Sequence, residues 1–138
     1  MSYYDKGCHY KYPEACLHAG LMRTALTSQI PKDDRKAFDY FNAGCNLKSG
    51  MCCFYVSGMY ISGVDGLVPK DMKKAFEYSK TACDLGNVYA CANLSQMYAK
   101  GEGVTQSATK AEEYKQLALD MQNQVTKQFR TIAFEEGA

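Results

Sequence analysis

The chain has 138 residues, and its 16 Lys and Arg against 15 Asp and Glu give a formal net charge of +1. This length favours one domain with one core, and the balanced charge, without a run of basic residues, argues against a nucleic-acid-binding surface. No window approaches the roughly 18 apolar residues of a membrane-spanning helix, and the start of the chain is too polar for a signal peptide. We therefore expect a soluble domain without a secretory signal.

Six of the seven cysteines form three pairs of identical spacing. The pairs are Cys8/Cys16, Cys45/Cys53 and Cys83/Cys91. Each pair encloses seven residues, and the first members lie 37 and then 38 positions apart. This phasing indicates an internal repeat. A unit of that size cannot bury its apolar face alone, so neighbouring repeats must stack into a solenoid.

The first segment, residues 1–12, is predicted to be half of a repeat. Three of its residues match residues one repeat later: Tyr3, Tyr4 and Cys8 match Tyr40, Phe41 and Cys45. Met1 would then begin in the second half of a helix. We expect the chain to be a truncated isoform or an excised fragment, or its open end to be covered by another molecule, which includes oligomerisation through that end.

Three full repeats follow, at residues 13–48, 49–86 and 87–126. Each is predicted to contain two helices, because small and aromatic residues recur at helical spacing. The two clearest stripes are Ala37, Tyr40, Phe41 and Gly44, and Ala75, Tyr78, Ser79 and Ala82. The segments 31–34, 63–71 and 101–104 contain the Pro, Gly and Asp residues that separate or begin helices. Asp71 and Ser107 are the predicted N-caps.

The last part of the chain differs from the earlier repeats. Leu119 stands where a further cysteine would fall, which marks the end of the array. From residue 127 to residue 138 the periodicity is lost. We expect this C-terminal tail to be frayed or to fold only on contact with a partner.

The spacing of the cysteine pairs predicts disulfides across helix–helix turns. On one continuous helix, eight positions would separate the two Cα atoms by about 12 Å, whereas a disulfide needs them within about 7 Å. A turn must therefore lie inside each pair, and we assign it to Pro13, Gly50 and Gly86 in turn. Buried free thiols are the alternative. Zinc is disfavoured because the chain has no Cys-x-x-Cys.

Cys52 is the cysteine left over, next to the bridged Cys53. It is the candidate reactive thiol of this chain, because a thiolate beside a disulfide is placed to attack it. The alternative is a half-buried structural thiol, since reactivity requires a lowered pKa.

The sequence contains no recognisable catalytic constellation. It has no Gly-x-Ser-x-Gly, no phosphate-binding loop and no His-Glu-x-x-His. His9 and His18 are the only histidines, and each is a candidate haem ligand, with a packed or solvated role as the alternative. Five tyrosines recur at repeat-equivalent positions, so we expect most of them to pack between helices and those that face a groove to recognise a partner: Tyr55, Tyr60, Tyr78, Tyr89 and Tyr98.

Two strings resemble a known family. Residues 101–104 (Gly-Glu-Gly-Val) with Lys110-Ala111, and the Gly-x-Tyr-x-x-Gly of residues 58–63, resemble Sel-1-like repeats. Three further strings are similar to sequences of the disulfide-rich subgroup of this family, at residues 68–72, 83–86 and 90–93. This subgroup includes mitochondrial assembly factors of cytochrome c oxidase. The resemblance extends from about Ala15 to Gln122. It implies an all-α, right-handed solenoid of about three helix-turn-helix repeats.

The same resemblance implies a function. Such proteins are located in the mitochondrial intermembrane space, are oxidised by the disulfide relay and support respiratory-complex assembly through protein partners. Two alternatives remain: a haem-assisted thiol-disulfide reductase of copper chaperones, and a β-lactamase-like or penicillin-binding protein. The chain departs from the subgroup in having three repeats instead of about five, and in having Cys52 where a small polar residue is usual.

Overall fold

The protein forms a stack of seven helices over the residues that the structure describes. The computed structural model describes the backbone of residues 3–9, 11–24 and 33–137, and the side chains of residues 6–9, 11–24 and 33–127. The helices are α1 (Tyr3–His9), α2 (Pro13–Thr24), α3 (Asp34–Asn46), α4 (Gly50–Ser62), α5 (Met72–Asp84), α6 (Val88–Lys100) and α7 (Ala108–Gly137). Within these ranges there is no strand, only an isolated bridge between Val64 and Val68.

Each helix packs against the next one along the chain, and α1 also contacts α3 while α2 contacts α4. The interior is consequently a row of small clusters. One surrounds Phe41, with Ala37, Cys52 and Val56, and the other surrounds Leu94. Full burial of a side chain such as Phe41 stabilises the fold by about 1.5–3 kcal/mol. The predicted all-α, disulfide-stapled solenoid is confirmed.

Small residues on the second helix of each repeat allow its neighbours to approach closely. The residues that the stripes placed inside are buried: Ala37, Phe41 and Gly44 on α3, and Ala75, Ser79 and Ala82 on α5. The buried hydroxyl of Ser57 donates to the Ala75 carbonyl at 3.0 Å, so this polar group costs little when it is buried. The predicted buried faces of α3 and α5 therefore agree with the observed ones, and Tyr40 and Tyr78 are half-buried.

Three disulfides join consecutive helices at the short turns. They link Cys8 to Cys16, Cys45 to Cys53 and Cys83 to Cys91, with Cα atoms 4.4, 4.6 and 4.8 Å apart. In every pair the first cysteine lies near the end of one helix and the second is the fourth residue of the next helix. The bridge thus fixes two antiparallel helix ends against each other.

The turn residues differ from two of the predicted ones. At the three bridged turns, the residues with left-handed backbone are Lys11 (φ 69°), Lys48 (φ 68°) and Gly86 (φ 94°). Pro13 and Gly50 are instead the first residues of α2 and α4. Proline is favoured there because the first helical N–H has no partner inside the helix. The prediction placed the turn on the strongest breaker in the sequence, whereas two lysines adopt the left-handed conformation.

The helix starts agree with the predicted caps. The Asp71 carboxylate accepts the N–H of Lys74 at 3.1 Å, and the Ser107 hydroxyl accepts the N–H of Lys110 at 3.2 Å. Asp33 does the same for Lys36 at 3.0 Å. These side chains satisfy donors that the first turn of a helix leaves without partners. Met1, Pro31, Lys32 and the side chains of Tyr3 and Tyr4 lie outside the described residues.

The C-terminal stretch is helical, in contrast to the predicted frayed tail. Helix α7 continues from Ala108 to Gly137. Residues 127–137 contain no proline, and their only glycine is the last residue, so most of them have good helix propensity and nothing terminates the helix earlier. None of the helices in the described part of the chain combines the length and the apolarity that a bilayer crossing needs.

Candidate functional site

The first helices of the second and third full repeats have almost no charged side chains. Helix α4 contains none in its 13 residues, and α6 contains only Lys100 at its last position. By contrast, α5 contains five charged residues. Charged side chains are normally spread over a protein surface because they interact well with water. The surface that α4 and α6 share is thus suited to apolar contact.

An open groove of about 740 Å³ lies along the disulfide-bridged turns, and we call it the turn groove. Its walls come from the start of α2, the start of α4, the turn between α5 and α6, and the end of the described side chains of α7. The lining residues are Glu14, Leu17, Ser49, Gly50, Met51, Leu85, Gly86, Asn87, Val88, Tyr89, Gln122, Val125 and Thr126. Its volume falls within the range of about 300–1,000 Å³ that ligand sites occupy.

Large apolar side chains are exposed in the turn groove. Tyr89 is 66% exposed, Val125 46%, Leu85 39% and Met51 36%. An isolated exposed apolar residue is ordinary, but a contiguous exposed group is typical of a binding surface. Four such side chains on one groove therefore make it the candidate binding site of this chain.

Two capping side chains, Ser49 and Asn87, fix the helix starts that line the turn groove. The Ser49 hydroxyl accepts the N–H of Cys52 at 3.2 Å, and the Asn87 side-chain oxygen accepts the N–H of Ala90 at 2.9 Å. The Asn87 amide also donates to the Met51 sulfur at 2.9 Å. The starts of α4 and α6 are thereby fixed, and a fixed surface loses little entropy when it binds a partner.

A chain of aromatic contacts leads from the interior to the groove. Phe41 stacks on Tyr55 with ring centroids 4.9 Å apart, Tyr55 meets Phe54 at 5.8 Å, and Phe54 meets Tyr89 at 5.8 Å. Aromatic side chains provide large contact areas with few rotatable bonds. Tyr89 is therefore positioned by its neighbours while its ring remains exposed.

Cys52 does not line the turn groove, although the preceding residue, Met51, does. Its side chain is fully buried and unbridged. Burial raises the pKa of the Cys52 thiol above its ordinary value of 9.0, and the hydrogen bond with Ser49 opposes that shift only partly. A raised pKa and absent solvent contact are the properties of a packing thiol, because a reactive thiol needs exposure and a lowered pKa.

Comparison with known proteins identifies the repeat. A sequence model described as "Sel1 repeat" matches residues 13–49, 50–87 and 88–123. The chain belongs to the Sel1 repeat family. It is 40% identical to the cytochrome c oxidase assembly factor 7 homolog of Drosophila melanogaster, in an alignment that covers 98% of this chain and 63% of that protein. The chain thus spans less than two thirds of the length of this relative.

Solved structures of Sel1 repeat proteins have the same fold. Cysteine rich protein B of Helicobacter pylori superposes with a TM-score of 0.67 at 30% identity, over 86% of this chain and 83% of that one. A Sel1 repeat protein from Oxalobacter formigenes gives a TM-score of 0.77 at 21% identity, over 85% of this chain and 46% of that one. The protective antigen c5321 of uropathogenic Escherichia coli gives a TM-score of 0.78 at 23% identity, over 85% of this chain and 24% of that one.

Equivalent positions of the Sel1 repeats show that most of the tyrosines are packing residues. Tyr60 stacks on Tyr78 at 5.7 Å, and one repeat later Tyr98 stacks on Tyr114 at 5.6 Å. A lysine ammonium lies 5.5 Å from the ring centre of Tyr60, and another lies at the same distance from Tyr98. Tyr89 is the exception among the five tyrosines singled out in the sequence, since its ring is exposed at the groove.

The two histidines of this Sel1 repeat chain lie on the first two helices. His9, at the end of α1, and His18, on α2, are both exposed, and neither is among the residues that line the turn groove. Their assignment as candidate haem ligands stays a prediction. The described residues also contain no group of three or more potential metal ligands.

The groove residues other than Tyr89 were not identified from the sequence. Met51, Leu85 and Val125 lie on three different helices or turns, and only stacking brings them together. One sequence feature could have pointed to them: the absence of charge from residues 50–62. A helix without a charged face is typical of one that neighbouring helices cover on several sides, and Met51 and Ser62 are the exposed residues of α4.

Proposed function

We propose that this chain is a non-enzymatic binding scaffold that supports cytochrome c oxidase assembly in the mitochondrial intermembrane space. The observation that supports the scaffold role is the turn groove, where the exposed apolar side chains of Met51, Leu85, Tyr89 and Val125 line one surface. Sel1 repeat solenoids offer extended surfaces of this kind for protein partners. The similarity to an assembly factor 7 homolog supports the choice of pathway.

The disulfides support an oxidising compartment. Three bridges in a chain of 138 residues are rare in a reducing cytosol, where thiols are kept reduced. The intermembrane space, reached by import followed by oxidation, is the compartment that fits both these bridges and the similarity to a cytochrome c oxidase assembly factor 7 homolog. Protease protection tests this location: the chain should resist protease in intact mitochondria and be digested once the outer membrane is ruptured. Resistance after rupture would contradict it.

The assembly role is tested by deletion and rescue. Cells that lack the gene for this chain should contain less assembled cytochrome c oxidase on native gels, and the wild-type chain should restore the complex. The Tyr89→Asp variant, altered only at the exposed ring, should restore it poorly. Normal amounts of assembled oxidase after deletion would contradict the proposal.

The alternatives make different predictions. A thiol-disulfide reductase needs an accessible thiol or bridge, and Cys52 is fully buried. We expect iodoacetamide to alkylate Cys52 slowly in the native chain and rapidly after denaturation. Rapid native alkylation, with a bridge that equilibrates near the cellular redox poise, would favour the reductase. The lactam-binding alternative stays a prediction, tested by acylation with a fluorescent penicillin.

A further inference from the structure

The turn groove restricts the chemistry of its partner. Its exposed apolar side chains come from α4, the turn between α5 and α6, α6 and α7, so they line the groove on several sides. A charged side chain docked against such walls would lose water without gaining a counter-ion, which is unfavourable. The partner must therefore present an apolar face to the groove.

The walls also restrict the conformation of the partner. In the described residues, the groove is built from helices and two tight turns, without a strand edge that could pair with an extended backbone. Ser49 and Asn87, the two capping side chains that line the groove, already accept N–H groups of α4 and α6. An extended peptide would find no strand edge with which to pair, whereas a helix forms its backbone hydrogen bonds internally and presents an apolar face to the groove.

One side chain that is charged at neutral pH is among the residues that line the turn groove, and it is acidic. Glu14, in the first turn of α2, is exposed at the end of the groove where α2 begins. A cation on the partner at this end would meet a carboxylate, and an anion would be repelled by it. The charge of Glu14 on α2 and the exposed apolar side chains on the other elements together define a direction for the bound segment.

We infer that the turn groove binds an amphipathic α-helix of a partner protein, with an aliphatic face and one Lys or Arg at the end nearest Glu14. This inference rests on the proposed scaffold function and names the class of segment that the scaffold recognises. The aliphatic face packs against Met51, Leu85 and Tyr89, and the basic residue pairs with the Glu14 carboxylate.

A set of synthetic helical peptides tests the inference. The probes are fluorescein-labelled amphipathic peptides with Leu or Ile at i, i+3, i+4 and i+7, and with Lys, Gln or Glu at one end; fluorescence anisotropy with the oxidised full chain gives their affinities. We expect the Lys peptides to bind best. Tyr89→Asp should weaken their binding at least tenfold, because it places a charge among apolar walls. Glu14→Gln should weaken it about two- to fivefold, as expected for a rim ion pair.

Two controls make the result specific. Leu117→Asp alters a side chain that is 42% exposed but lies outside the turn groove, and it should leave binding unchanged. Glu14→Lys should reverse the preference, so that the Glu peptides bind better than the Lys peptides. Circular dichroism of each variant checks that the helices are retained.

Three outcomes would overturn the inference: no binding by any helical peptide, equal loss of binding in Leu117→Asp and Tyr89→Asp, or a preference of the wild-type chain for Glu peptides. The last result would show that the N-termini of α4 and α6, and not Glu14, determine which sign of peptide charge the groove prefers. None of these outcomes bears on the assembly role itself. That role fails only if deletion leaves cytochrome c oxidase assembly intact.

Discussion

The thiol of Cys52 lies directly over the Cα of Gly44, in the space that a β-carbon at position 44 would need. The equivalent pair of the preceding repeat is Gly7 and Ala15, and that of the following repeat is Ala82 and Ala90. Position 52 is therefore an alanine position in both neighbouring repeats. The larger Cys52 side chain fits because its contact residue on α3 is glycine.

This pairing predicts a coupled effect on stability. Gly44→Ala alone should lower the free energy of unfolding by about 1–3 kcal/mol, because it overpacks the contact, and Cys52→Ala alone by about 1 kcal/mol, because it leaves a cavity. The double variant should be more stable than Gly44→Ala, since it removes the clash with the thiol and alanine favours helix over glycine by about 1 kcal/mol; the Cβ atoms of residue 52 and Cys16, 3.0 and 3.1 Å from the new methyl group, must still shift slightly. Urea denaturation of the oxidised proteins gives the four free energies of unfolding that this double-mutant cycle compares. Additive losses would contradict the pairing.

The raised pKa of Cys52 predicts a loss of stability at alkaline pH. As the pH rises above about 9, the thiol ionises in the unfolded chain but stays protonated in the folded chain, whose thiol pKa is higher. The folded state then binds more protons than the unfolded state, so the free energy of unfolding falls as the pH rises. Urea denaturation at about pH 8 and about pH 9.5 should show a smaller decrease for Cys52→Ala than for the wild type. Equal decreases would assign the effect to other groups, such as Tyr78, whose pKa burial also raises.

The sequence predicts the repeat architecture well because its evidence is periodic. Cysteine spacing indicates the turns, and alanine stripes indicate the buried faces of α3 and α5. It fails where a conformation is imposed by the tertiary structure. Lys48 adopts the left-handed backbone at its turn, although Gly50 two residues later is intrinsically better suited to it. The turn groove could not be predicted from the sequence either, since Glu14 and Val125 lie far apart in the chain and line the same groove only after the helices stack.

The disulfides are predicted to supply a large share of the stability. Each bridge closes a loop across a sequence separation of 8 residues, which the chain-entropy relation values at about 2–3 kcal/mol. Together they contribute about 6–9 kcal/mol, comparable with the whole stability of a small domain. Reduction should therefore abolish cooperative thermal unfolding followed by circular dichroism. Cys52→Ala is the control, because it removes a thiol without removing a bridge; a reduced chain as stable as the oxidised one would contradict the prediction.

Tyr12 occupies the N-cap position of α2, where the two later repeats have Ser49 and Asn87. The Tyr12 carbonyl accepts the N–H of Cys16, as an N-cap carbonyl does, but its side chain is 65% exposed and has no short side-chain acceptor for the first-turn N–H groups. Tyr12→Asn should supply that acceptor and raise the free energy of unfolding by about 1 kcal/mol. Tyr12→Ala is the matched control, because it removes the ring without adding a cap, and it should not stabilise the protein. Urea denaturation distinguishes the two variants. Equal stabilities of the Asn and Ala variants would show that α2 gains nothing from a side-chain cap.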